Sequence, residues 1–283
     1  MVSKLKLFFR LIDIEHTLFG LPFAYLGAFL AIKAVPSFGQ LFWITVAMVS
    51  ARTAALCLNR LIDRHIDLAN PRTRNWIMPQ KLLPTGWIWG IAFFMFGMLF
   101  FAAWQLNPLC FALAPLAVLI LTVYSFTKRF TWLCHLFLGA AVGIGPVGGW
   151  FAVTGEFSLL PFFLSAVVAS WVAGFDTIYA CQDIDFDRKT GLHSIPARFG
   201  MERALHIAAF FHLGTVLFLI LSGLLLQMGI WYYIGTVITA IILLYEHSLV
   251  SPYDMRQVSR ASFKINHWVS SIIFLFSMLD LFI

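Results

Sequence analysis

Acidic residues are scarce in this chain. There are 13 Asp and Glu among 283 residues, and all charged side chains together make up 11%, where a soluble domain carries about a quarter. That shortage, beside 61% hydrophobic residues, 30 Phe and 10 Trp, excludes a water-soluble globule and points to a polytopic membrane protein. Cysteine is sparse too. Cys57, Cys110, Cys134 and Cys181 are scattered through apolar runs without CxxC spacing, which argues against a disulfide framework or a thiolate metal site. The eight His residues show no ligand spacing, and the glycine-rich "GAAVGIGPVGGW" lies inside an apolar span, so it is no phosphate loop. Its small residues suit close helix approach or room for an apolar ligand. The start lacks a small-residue cleavage site before its apolar run becomes a full span, so "KLKLFFRLI" reads as a short amphipathic interfacial helix rather than part of a signal peptide.

Apolar stretches long enough to cross about 30 Å of hydrocarbon recur along the whole chain. They predict nine spans, at 17–34, 40–62, 84–104, 108–126, 133–153, 159–181, 204–227, 229–249 and 265–282. The connections "WQLNP" and "LLQMGI" are very short, so the boundaries there are the least defined. Basic residues accumulate in cytoplasmic loops. With nine spans and a cytoplasmic N-terminus, all of the 19 Lys and Arg except Lys33 and Arg52 fall on one side. The pI of about 9.3 then reflects topology and anionic headgroups, and gives no reason to invoke nucleic acid.

The few acids are concentrated. In "NRLIDRHID", Asn59, Asp63 and Asp67 recur at i, i+4 and i+8 and share one helix face, with Arg52 about two turns deeper. In "DTIYACQDIDFD", Asp176, Tyr179, Asp183 and Asp187 form a second stripe. Each stripe ends an even-numbered span in DxxxD followed by Arg or Lys and a polar loop, a weak internal repeat that places both ends at one membrane face. Carboxylates brought together there repel unless a cation lies between them. Hard oxygen donors without His or Cys favour Mg²⁺, which is held by few carboxylates plus phosphates, so the expected ligand is a magnesium diphosphate. Surrounding Arg and Lys would take its remaining oxygens. The expected fold is an all-α integral membrane bundle of nine transmembrane helices, one domain over 1–283, with two pseudo-repeated acidic helix ends on the cytoplasmic face.

Over essentially its whole length the chain resembles the UbiA-type intramembrane prenyltransferases. "NRLIDRHID" matches the family's NxxxDxxxD, "YSFTKR" its YxxxK and "DTIYACQDIDFD" its DxxYAxxDxxxD, in the family's order. "EHTLFGLPFAYLGA" and "NPRT" look most like the 4-hydroxybenzoate polyprenyltransferases and the related futalosine-route enzymes of menaquinone synthesis. The resemblance implies that Asn59, Asp63, Asp67, Asp183 and Asp187 hold Mg²⁺ bridged to the diphosphate, and that Tyr124, Lys128 and Arg72 contact the diphosphate. It puts Arg52 near the carboxylate of an aromatic acid and Asp176 where it would help remove the ring proton. One stretch departs from the pattern. Where relatives continue TxxRxxPxG, "TRNWIMPQK" has Trp76 in place of the arginine and Lys81 in place of the glycine, so Arg74 is a candidate replacement cation. The departure bears on diphosphate affinity and loop closure more than on reaction class.

The implied reaction joins a polyprenyl diphosphate to an aromatic acid, 4-hydroxybenzoate-like, in respiratory quinone biosynthesis (ubiquinone biosynthesis for that acceptor), at the inner (cytoplasmic) membrane of a bacterium. A different acceptor, the futalosine-route acid or 1,4-dihydroxy-2-naphthoate, would place the enzyme in menaquinone biosynthesis. An ion-coupled transporter is the reading from another class. It would put binding residues near the bilayer midplane, whereas here nearly all gather at one face.

Overall fold

The computed structural model describes residues 4–12 and 14–283, and the side chains of all of these but 14–19 and 263. Every regular element among the described residues is helical. In chain order these are α1 (Lys4–Leu11), α2 (Ile14–Ile32), α3 (Phe38–Ile62), α4 (Arg64–Ala69), α5 (Thr85–Leu106), α6 (Pro108–Thr127) and α7 (Cys134–Thr154). They continue with α8 (Leu160–Ala180), α9 (Ile184–Thr190), α10 (Ile195–Phe199), α11 (Met201–Leu226), α12 (Ile230–Ser248) and α13 (Asn266–Phe282). A 3₁₀ turn at Cys181–Asp183 joins α8 to α9, and a π-helical turn at Arg260–Ile265 leads into α13.

Eight helical stretches are long and apolar enough to cross a membrane, and α2 adds the shorter apolar segment Gly20–Ile32. Their outer faces carry large bare side chains such as Phe93, Phe94, Trp104, Phe210 and Leu244, each more than 60% exposed. A surface so apolar is at home in lipid. The two shortest connections end in specific caps. Asn107 alone separates α5 from α6: its Oδ1 accepts from the Cys110 N–H at 2.9 Å, Pro108 follows at the first helical position, and its Nδ2 donates to the Phe151 carbonyl of α7 at 2.8 Å. Between α11 and α12, Gln227 closes the first helix with φ +55°, and the Asp280 carboxylate accepts from the Gly229 N–H, 2.6 Å, at the start of the next.

Packing follows the small residues. Helix α7 lies between α2 and α8, and a Cβ at Gly27 would run into the Pro146 carbonyl, one at Gly149 into that of Ala24, and one at Gly139 into that of Ala169. Backbones therefore meet directly at both crossings of α7, as membrane helices do where side chains shrink. Gly145 and Gly148, from the same stretch, line an internal cavity instead. Helix α1 lays Phe8 and Leu11 against Cys57, Leu58 and Leu61 of α3 and Ile88 of α5, with Lys4 and Lys6 facing outward, the geometry expected of an interfacial helix.

Candidate active site

Among the described residues, the bundle surrounds a large cavity of about 1290 Å³. Charged side chains rim one end; Leu113, Leu138, Val142, Ile144 and Gly148 line the deeper, apolar part. Asn59, Asp63, Asp67, Asp183 and Asp187 all face this space, as do Arg52, Arg72, Tyr124, Lys128 and Asp176.

The two acidic stripes do not meet by packing of their helices, since α3 packs chiefly on α5 and α8 on α7 and α11. The cavity lies between them, and the loop after α4 spans it. Arg72 reaches from that loop to Asp183, with Nε donating to Oδ1 at 2.9 Å and Nη2 paired with Oδ2 in a bidentate fork, while Nη1 donates to the Tyr179 hydroxyl at 2.7 Å. Asn70 makes the same crossing, donating to Asp183 Oδ1 at 2.9 Å, and its own Oδ1 accepts from the Arg72 N–H, fixing the loop that carries the guanidinium.

Each stripe is also broken at the same place. Helix α3 gives way to α4 at Asp63, and α8 passes through its 3₁₀ turn to α9 at Asp183, both the first acid of a DxxxD. These residues share nearly the same backbone, φ −89° ψ −1° for Asp63 and φ −106° ψ 6° for Asp183. The pseudo-repeat seen in sequence thus extends to local conformation.

Counter-charges come from other segments. Asp63, its side chain 5% exposed, pairs with Lys128 Nζ at 2.6 Å and Arg129 Nη2 at 2.9 Å, and accepts from Asn59 Nδ2 at 3.2 Å. Lys128 caps α6 one turn beyond Tyr124, so the two reach the cavity together. Asp67 is buried as well. Burial pushes its carboxyl above the ordinary carboxylate range, Lys128 and Arg60 pull it back, and neighbouring Asp63 adds to the rise. A carboxylate so placed gains from a cation brought to it. On the opposite wall Asp187 accepts from Ser194 Oγ at 2.8 Å, and Asp176 pairs with His135 Nδ1 at 2.7 Å.

Asn59, Asp63 and Asp67 present hard oxygens from one wall and Asp183 and Asp187 from the other, the donor type that Mg²⁺ takes together with phosphate and water. Among the described residues no three acidic, His or Cys side chains close on one point, so the carboxylates alone make no complete metal site.

Trp76, at the departing loop position, is wedged under cations: the Arg60 guanidinium lies 4.2 Å and that of Arg72 5.5 Å from its ring centroid. Arg74 is exposed and off the cavity wall, and the structure does not bring it to the other candidate residues. Arg52 lines the cavity from α3, two turns below Asn59. Sequence reasoning missed Asn70, Arg129, Ser194 and His135. The "KR" of "YSFTKR" was the one signal for Arg129; the other three are recruited across loops and carry no spacing signature. The Asp254–Arg256 pair is exposed and stands apart, as a solvated loop contact.

Residues 20–269 match the UbiA prenyltransferase family. A protein of Tolumonas auensis named 4-hydroxybenzoate octaprenyltransferase is 31% identical over 247 residues, covering 87% of this chain and 85% of the relative. The apo structure of a UbiA homolog from Aeropyrum pernix K1 superposes with a TM-score of 0.87 at 33% identity, covering 94% of this chain and 98% of that one. A UbiA homolog from Archaeoglobus fulgidus bound to DMAPP and Mg²⁺ shares the fold with a TM-score of 0.63 at 18% identity, over 94% and 98% of the two chains.

Proposed function

This chain belongs to the UbiA prenyltransferase family, and from that premise we propose that it transfers a polyprenyl group from polyprenyl diphosphate to 4-hydroxybenzoate in quinone biosynthesis. The observation that carries the reading is a large cavity lined by two acidic helix ends, by the cations Arg72 and Lys128, and by an apolar wall. The name borne by the Tolumonas auensis relative supports the acceptor. The reading includes nine spans, N-terminus and charged rim facing the cytoplasm, and residence in a bacterial inner membrane, supported by the one-sided distribution of Lys and Arg.

Asn59, Asp63, Asp67, Asp183 and Asp187 would hold Mg²⁺. Bound there with the diphosphate, the metal would supply Lewis-acid neutralisation of the leaving group, a reading supported by the Archaeoglobus fulgidus neighbour bound to DMAPP and Mg²⁺. Arg72, Lys128 and Tyr124 take the remaining diphosphate oxygens. Arg72 and Lys128 are paired with Asp183 and Asp63 in this structure, so both cations are already held at the rim, positioned before charge develops. The allylic C–O bond breaks with its electron pair going to the diphosphate, and the apolar wall keeps water from the cation that remains. The acceptor ring attacks through the carbon ortho to its hydroxyl, and Asp176 takes the ring proton. Arg52 pairs with the acceptor's carboxylate, which its planar fork suits.

The test is product formation in membranes expressing the chain, given labelled polyprenyl diphosphate, Mg²⁺ and 4-hydroxybenzoate, with parallel arms containing 1,4-dihydroxy-2-naphthoate and the futalosine-route acid. A labelled, EDTA-sensitive 4-hydroxybenzoate adduct is expected. Product in another arm alone reassigns the acceptor, and gradient-driven uptake by proteoliposomes without any adduct would replace the enzyme with a transporter.

A further inference from the structure

His135 opens α7, directly after the loop that carries Lys128 and Arg129, and is 3% exposed. Its imidazole is held from both sides. Nδ1 lies 2.7 Å from Asp176 Oδ2, and Nε2 lies 3.4 Å from the Ile195 backbone nitrogen. The Ile195 N–H can only donate, so Nε2 receives it with its lone pair and the ring hydrogen sits on Nδ1, aimed at the carboxylate. Asp176 is far less buried, its side chain 27% exposed, and it and His135 line the cavity side by side.

Ile195 ties this pair to the cation-binding wall. It follows Ser194, whose hydroxyl donates to Asp187 at 2.8 Å and whose side chain also caps α10. The backbone of His193 donates to the Lys128 carbonyl at 2.7 Å. The segment 193–195 therefore touches, in three successive residues, the lysine-bearing loop, a carboxylate of the second acidic stripe and the imidazole that holds Asp176.

We propose that His135 is a positioning residue for the transfer step: its Nδ1–H fixes the Asp176 carboxylate through Oδ2, leaving Oδ1 to take the proton from the attacked ring carbon. The inference rests on the proposed prenyl transfer. In that step the ring carbon forms a bond to the allylic carbon, the C–O bond to diphosphate has broken with its electron pair on the leaving group, and the proton of the attacked carbon moves to Asp176 Oδ1, restoring aromaticity. His135 exchanges no proton in this scheme. It sets the direction of an oxygen, as the outer partner of a metal-bound or catalytic side chain does. Its link through Ile195 makes the direction of Asp176 depend on the same segment that holds Asp187.

The test compares His135→Leu, which removes the donor, with His135→Asn, whose amide nitrogen stands where Nδ1 stands, and with Asp176→Asn. For each, adduct formation and release of diphosphate without acceptor are measured in the intact membrane protein. His135→Leu is expected to lower kcat for adduct formation 10- to 100-fold, with the KM for prenyl diphosphate and acceptor-free diphosphate release near wild type. His135→Asn is expected to recover most of that loss. Wild-type kcat in His135→Leu, or equal loss of adduct formation and diphosphate release in both His135 variants, overturns the positioning role, the second outcome marking a structural one. Full adduct formation by Asp176→Asn instead removes the base reading beneath it, and absence of adduct in wild type removes the reaction itself.

Discussion

The helix end at Asp63 and the helix end at Asp183 share a DxxxD spacing and a local break, yet they carry their charges differently. At the first, Asp63 is nearly enclosed and held by two cations, Lys128 and Arg129, both from the end of α6. At the second, Asp183 is more open, with a side-chain exposure of 14%, and answers to Arg72 from across the cavity. Asp187 there is held by a neutral hydroxyl, and Asp176, further down α8, by an imidazole. The first end is a sealed electrostatic unit that fixes α3 to α6. The second is where the opposite wall's loop arrives and where Asp176 meets the cavity, so the two repeats divide anchoring from adaptation.

The hardest blow to this comparison is removal of either first acid. Asp63→Ala and Asp183→Ala are each expected to cut prenyl transfer by about 100-fold or more, in line with loss of one preorganised charge-stabilising group. The difference between them shows in the protein rather than the rate. Asp63→Ala leaves Lys128 and Arg129 without their common partner and should lower thermal stability in detergent, whereas Asp183→Ala should do so less. Equal melting temperatures would erase the division.

A smaller effect separates the cations. Arg72→Ala is expected to raise the KM for prenyl diphosphate about 10- to 100-fold, the cost of losing a charge-assisted contact of about 1.5–3 kcal/mol. Arg129→Ala, whose guanidinium bonds the Ile62 and Ser125 carbonyls as well as Asp63, should leave that KM within about 3-fold and reduce stability instead. A KM effect as large as that of Arg72 would place Arg129 among the diphosphate ligands.

The finest distinction concerns the departing loop. Trp76 is half-buried, and a cation over an aromatic ring outside the dry interior is worth about 0.5–1 kcal/mol, so Trp76→Ala should raise the KM for prenyl diphosphate about 2- to 5-fold by loosening Arg60 and Arg72. Arg74→Ala, on the exposed side, should change activity less than 2-fold, as surface substitutions do. A larger loss in Arg74→Ala would show that the loop closes over the ligand and carries Arg74 inward.

Much of the fold was legible before any coordinates. The existence and most boundaries of the long helices follow from apolar run length, because a bilayer demands about 20 residues per crossing, and α5 to α8 and α11 to α13 start and end within a few residues of the predicted spans, while the short α4, α9 and α10 match none. The acidic stripes were equally plain, since ions are costly in such a chain and two copies of DxxxD stand out. Arg74 was proposed as a stand-in for the missing arginine, and its exposure could not be read from neighbouring letters. Local spacing says which face a residue shares within one helix. It cannot say which loop crosses a cavity to meet it.

The sequence by itself determined a helical membrane chain, its acidic ends and its family motifs, because hydropathy and i, i+4 spacing are local properties. Only the tertiary structure decided that α3 and α8 stand apart across a cavity, that Arg72 and Asn70 bridge it, and that His135 pairs with Asp176. Those contacts join residues more than 40 positions apart. They depend on the glycine-lined crossings of α7 with α2 and α8, where the absence of side chains lets backbones touch and thereby sets where every longer side chain can reach.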